Sequence, residues 1–147
     1  THVSGLPAET PLADYQRGRV LAMRRLAGHA PKAAPGSKLI YSDAGFLVLE
    51  EIVRRTSGQD LAAFTHDAIF KPLGMNETGF RPDASLWSRI APTEQREGAW
   101  MRGQVHDPRA FRLGGVAGHA GLFSSARDVA RFARMLLGGG ALDGTRV

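Results

Sequence analysis

Three consecutive residues, Tyr41-Ser42-Asp43, stand where a short apolar approach, "LIYS", meets a helical pattern. A phenol with an ordinary pKa near ~10 is a weak base by itself. Beside a cation, or at the positive end of a helix, it can give up its proton and act as a general base. Asp43 could accept from that cation or orient a substrate group. The competing reading is structural: Tyr41 packs, and Ser42 or Asp43 only caps the helix.

A second group is His106, Asp107 and His119. Zinc takes three or four ligands, often two at short spacing on one element. His106 and Asp107 are adjacent, and adjacent side chains rarely share an ion. His106-Asp107 before Pro108 therefore reads as a turn, and a zinc-dependent hydrolase is the lesser alternative. No metal and no cofactor is assigned. His119 lies in "LGGVAGHAGLFS", where Gly118 and Gly121 permit close backbone approach. Gly118, His119 and Gly121 read as a cleft edge bordering substrate; the alternative is a loop histidine satisfied by hydrogen bonds. The string is not a dinucleotide fingerprint, because no convincing strand precedes it and no acidic residue follows at the required distance. His2, His29 and His66 read as surface or capping residues. Phe80, Trp87 and Trp100 could wall a pocket, with packing as the default.

The elements that must position these groups are mostly helical. Thr10 reads as an N-cap with Pro11 at the first helical position, and the helix should run to about Leu26. A largely buried helix should start at Ser42 or Asp43, reach about Thr56 and stop at Gly58. Asp60 opens another helix, ended by Pro72 and Gly74. Residues 72–122 read as turns and short strands, with "RIAPTEQ" the best strand candidate. Ser125 and Asp128 form an S-x-x-D capping box. The helix after it, Ala126 to Leu137, should bury Val129, Phe132, Ala133, Leu136 and Leu137.

The 147 residues suit one domain with a core of its own. Hydrophobic residues make up 43% and charged residues 22%, which is globular composition. The apolar runs are too short for stable membrane insertion. The chain has no cysteine, so disulfides and thiolate metal sites are excluded. The 19 basic and 14 acidic residues are interspersed, giving a net charge of +5 that reads as a solvated surface, with no nucleic-acid partner.

Several separated segments resemble one family. "PGSKLIYSDAGFLVLEEIVRRTSG", "FTHDAIFKPLGMNETGF" and "GGVAGHAGLFSSARDVARFARMLLGGG" occur in this order. Together they closely resemble the serine beta-lactamase and penicillin-binding-protein superfamily, in its class C-like esterase and D,D-peptidase branch. "THVSGLP" also resembles that family, and "GQVHDPRAFRLGGVAGHAGLFSS" is similar to a peptidoglycan-carboxypeptidase-like subgroup.

The resemblance implies a serine nucleophile in a Ser-x-x-Lys motif, with the lysine and the tyrosine of a Tyr-x-Asn motif sharing the base role. The serine attacks a lactam, peptide or ester carbonyl and forms an acyl-enzyme that water hydrolyses. Tyr41 matches the family tyrosine. Asp43 stands where asparagine is usual: an ionised Asp only accepts, whereas Asn also donates. Donation to a substrate amide would be lost, while pairing with the motif lysine could remain.

No Ser-x-x-Lys and no G-x-S-x-G occurs in the chain. His119-Ala120-Gly121 resembles the third family motif, Lys-Thr-Gly or His-Thr-Gly, only superficially, because that motif lies on a core strand.

The fold expectation is therefore mainly α: the helical subdomain and cleft loops of a beta-lactamase/transpeptidase-like α+β fold, with most of the antiparallel sheet missing. Residues 1–147 would be a partial domain, inactive alone, lacking the nucleophile helix and the C-terminal strands. The parent would be a serine hydrolase acting on a small-molecule or peptidoglycan-peptide substrate, periplasmic or extracellular by the resemblance alone. Apolar surface left exposed would favour a dimer. The rival is a non-catalytic helical module that binds peptidoglycan peptides.

Overall fold

A computed structural model describes residues 2–147. Among the described residues, five α-helices run in the order α1 (Arg19–Ala27), α2 (Asp43–Ser57), α3 (Leu61–Thr65), α4 (Pro108–Arg112) and α5 (Ala126–Leu137). Six short strands form three separate antiparallel pairs. β1 (Gly79–Phe80) pairs with β4 (Leu122–Phe123), β2 (Glu94–Arg96) with β3 (Ala99–Met101), and β5 (Ala141–Leu142) with β6 (Thr145–Arg146). The helical expectation holds. No described helix is long and apolar enough to cross a membrane.

α2 has the expected ends. Ser42 is extended, and its side chain accepts the Gly45 N–H at 3.0 Å. Gly58, at φ 73°, closes the helix in the left-handed conformation that favours glycine. Only one face is buried: Ala44, Leu47 and Glu50 are covered, whereas Leu49 and Ile52 are half exposed. The expectation of a largely buried helix is corrected on that point.

The single helix expected from Thr10 to Leu26 is split. A 3-10 turn covers Leu12–Tyr15, and α1 begins after Gly18. Gly18 has φ 82°, which a right-handed helix cannot contain. Thr10 caps nothing; its hydroxyl bonds the buried Tyr15 hydroxyl at 2.5 Å. This break turns Arg19 toward α2.

α5 has the expected span, but its capping box is half formed. Ser125 accepts the Asp128 N–H, while the buried Asp128 carboxylate accepts from the Glu77 N–H and the Thr78 hydroxyl. A tie between α5 and the segment before β1 thus replaces the reciprocal arm. Met135 is the buried apolar residue of α5, and Phe132 packs beside it. Val129, Ala133, Leu136 and Leu137 face solvent, Leu137 being 90% exposed, so the face expected to be buried is largely open.

Two apolar clusters hold the chain together. One joins Tyr15, α1, the first half of α2 and the 105–117 segment around Leu47 and Ala110, both at 0% exposure. The other joins Phe70, Leu73 and Met75 to Met135 and Leu142. Removing a fully buried leucine side chain from water contributes roughly 1.5–3 kcal/mol. The first cluster matters for function, because it clamps α2 against the Gly-rich loop.

Candidate active site

The N-terminus of α2 presents Tyr41 outward, 69% exposed. Its ring packs against the His2 imidazole, centroids 4.3 Å apart and planes tilted by 32°, and the Phe46 ring also meets His2, at 5.2 Å and 60°. His2 Nδ1 accepts the Ser42 N–H at 3.0 Å, which fixes a bare nitrogen there and the ring orientation beside Tyr41. Sequence reasoning placed His2 on the surface; the structure makes it the support of the tyrosine. Nothing in the local pattern announces that contact, since the two residues meet only through the fold.

Ser42 is not a free hydroxyl. It is 1% exposed, donates to the Pro7 carbonyl at 2.7 Å and caps α2. Asp43 begins the helix, with its N–H on the Ala8 carbonyl at 2.9 Å.

The Gly-rich loop comes to this end of α2 by a specific pin. Glu50, 5% exposed, pairs with Arg19 through Oε1 and accepts the Gly118 N–H through Oε2 at 2.9 Å. Arg19 also donates to the Leu113 and Val116 carbonyls. One buried carboxylate thus ties α1, α2 and the loop together.

The glycines make the approach possible. A Cβ on Gly118 would stand 2.2 Å from the Phe46 carbonyl oxygen, and one on Gly121, at φ 112°, would stand 2.4 Å from the Gly115 carbonyl oxygen. The close approaches expected of these residues are therefore to the protein's own backbone. Gly118→Ala should cost on the order of 3 kcal/mol, by the overpacking it forces. The check is a lowered urea midpoint with an unchanged m-value.

His119 is carried inward by this loop, its side chain 4% exposed. Its Nε2 donates to Asp107 Oδ1 at 2.9 Å, and the same oxygen accepts the Arg109 and Ala110 N–H groups at 3.0 and 2.7 Å. Asp107 is thus the N-cap of α4, with Pro108 at the first helical position. Burial raises the Asp107 pKa, but the Ala110 N–H, His119 and the Arg109 N–H together outweigh it and hold the carboxyl below its usual value. The stability this adds is present above the unfolded-chain value and is lost as pH falls through the lowered folded one.

The sequence reading of 106–108 as a plain turn missed α4, although Asp followed by Pro is an N-cap signature. His106 is exposed and does not join the cluster. The groups that do come together are carboxyl oxygens of Asp43 and Asp107 and a ring nitrogen of His119, all within 4.8 Å of one another.

A cleft of about 870 Å³ opens beside His119. Gly118, His119 and Gly121 line it with Phe80, Ile90 and Leu122. Tyr41 and Asp43 are outside that lining; His119 connects the cleft to the α2 end. Trp87 and Phe111 line a smaller cavity of about 340 Å³, and Trp100 is 65% exposed.

Similarity to known proteins identifies the family and the fold. The family model described as Beta-lactamase matches residues 1–147. A protein of Escherichia coli K12 named as a D-alanyl-D-alanine carboxypeptidase is 40% identical over 162 residues, covering 95% of this chain and 37% of its own length. A Salmonella agona protein of the same name is 32% identical, covering 95% and 38%. The chain therefore spans little over a third of the relatives it matches. Among solved structures, a beta-lactamase/D-alanine carboxypeptidase from Pseudomonas syringae shares the fold at TM-score 0.74 and 22% identity, over 97% of this chain and 38% of its own. A class C beta-lactamase shares it at TM-score 0.73 and 20% identity, over 94% and 36%. By its sequence and its fold, the chain belongs to the beta-lactamase family.

Proposed function

We propose that residues 1–147 form the tyrosine side of a serine acyl-hydrolase. The observation that carries this reading is the contrast at the entrance of α2. Tyr41 is exposed and braced by His2, while the neighbouring Ser42 hydroxyl is buried in two hydrogen bonds. That arrangement suits a base, not a nucleophile.

The nucleophile is then the serine of a Ser-x-x-Lys elsewhere in a longer parent protein. Tyr41, sharing the base role with the motif lysine, takes the serine proton, and the serine oxygen attacks the acyl carbonyl. The leaving amine or alcohol takes that proton from Tyr41; water then gives a proton to the same base, attacks the acyl carbonyl and releases the serine, which recovers the proton. Residues 1–147 alone are inactive in this account.

The substrate class is a peptide ending in D-Ala-D-Ala, a beta-lactam or an ester. The names of the relatives favour the first. Action on cell-wall peptides implies a periplasmic or extracellular site.

The test offers the parent protein a peptide ending in D-Ala-D-Ala, a penicillin and an activated ester. Release of D-alanine, with slow turnover of the penicillin, is the expected outcome. Peptide binding with no turnover of any of the three would favour a non-catalytic binding module instead.

A further inference from the structure

The smaller cavity, of about 340 Å³, adjoins the cleft and shares Pro82, Val105 and Phe123 with it. Its aromatic wall is held in place. Trp87 donates its indole N–H to the Pro82 carbonyl at 3.1 Å. The same ring lies so close to Gly103 that a Cβ there would stand 2.3 Å from Nε1. Phe111 adds a second ring to the lining, with the Arg96 guanidinium 5.3 Å from its centroid. Both rings are partly open to solvent. An apolar cavity with a few polar groups is the usual form of a small-molecule site, and those groups decide what it takes.

Here the polar groups are donors. Arg81 and Gln104 line the cavity, and no acidic side chain among the described residues does. Asp83 is close in sequence, but its carboxylate accepts the Ser85 N–H and caps the 3-10 helix Ala84–Arg89. Other arginines of this region are engaged, Arg89 by Glu77 and Arg102 by the Ile90 carbonyl. The Arg81 guanidinium has no ion-pair or hydrogen-bond partner among the described residues.

The backbone of Arg81 is unusual as well. Its φ is 51°, in the left-handed region. The other non-glycine residues found there, Glu97 and Asp143, sit in tight hairpins. Arg81 follows β1, whose partner β4 lies far along the chain, so no hairpin turn requires this conformation. Backbone strain outside a tight turn points to a functional constraint.

We propose that this cavity binds a small molecule carrying a carboxylate on a flat apolar ring. The ring packs on Trp87 and Phe111. The carboxylate accepts from the Arg81 guanidinium, whose planar fork matches two oxygens at once, and from the Gln104 side-chain amide. Arg96 adds positive charge at the Phe111 wall, reduced by its pairing with Glu94. The site is separate from the acyl-hydrolase reading, and its test needs no turnover.

The test titrates the parent protein with benzoate and with benzamide, its neutral isostere, by ligand-observed NMR. Benzoate should bind about tenfold more tightly, the contribution of a charge-assisted contact. Arg81→Gln should bring benzoate down to the benzamide level and leave benzamide unchanged. Phe111→Ala should weaken both ligands alike. Arg17→Gln, which removes an exposed arginine outside the cavity, should change neither. Equal binding of the two ligands, no binding of either, or a preference that survives R81Q overturns the proposal.

Arg81→Gly gives a second reading. Glycine accepts the left-handed conformation without strain, so the urea midpoint should rise while the preference for benzoate is lost. A lowered midpoint would make Arg81 a structural prop and overturn the functional reading of its strain.

Discussion

Replacing Tyr41 by phenylalanine in the parent protein should lower the acylation rate about 100- to 10,000-fold, the contribution of a positioned general base. The substitution removes one oxygen and keeps the ring on His2. Tyr41 is 69% exposed, so stability should move by no more than about 0.5 kcal/mol. A rate loss without a stability loss therefore isolates the chemistry. The measurement is a single-turnover acylation by an activated ester. A rate within threefold of wild type would remove Tyr41 from the base role.

Glu50→Ala has the largest expected effect on stability. Its two oxygens engage Arg19 and the Gly118 N–H, and the side chain is 4% exposed. Removing one partner of a buried pair typically costs ~3–5 kcal/mol, since the other charge is left uncompensated. Arg19 is 29% exposed and keeps two carbonyl partners, so the lower end, about 3 kcal/mol, is expected. Glu50→Gln keeps an acceptor for the Gly118 N–H and should cost less. Urea unfolding checks both, and an alanine variant within about 0.5 kcal/mol of wild type would contradict the pin between α2 and the loop.

What could be read in advance depended on whether the signal was local. α2 was legible because its cap, its apolar rows and its glycine stop all lie within one stretch. The ends of α5 were legible for the same reason. Its buried face was not, because which side of an amphipathic helix is covered depends on what packs there. The split at Gly18 was hidden by an apolar pattern that continued through it.

Two hairpins carried local signals that went unused. Glu97-Gly98 joins β2 to β3 and Asp143-Gly144 joins β5 to β6, each with both residues at positive φ. Such pairs are the two-residue turns that match strand twist. "RIAPTEQ" yielded strand only from Glu94, since Arg89 ends a 3-10 helix that starts at Ala84.

The site divides the same way. The position of Tyr41 and Asp43 at a helix entrance was legible, because the cap and the helix follow them directly in sequence. The meeting of Asp43, Asp107 and His119 was not, because three separate elements supply it. Their convergence depends on the Glu50 pin and on two glycines with no room for a side chain.

The central claim is that residues 1–147 hold the base and not the nucleophile. Intact-mass analysis of this chain after exposure to a reactive penicillin, and separately to an activated ester, tests it most directly. The account predicts an unchanged mass in both. A stoichiometric acyl adduct on a serine of this chain, Ser42 above all, would contradict it.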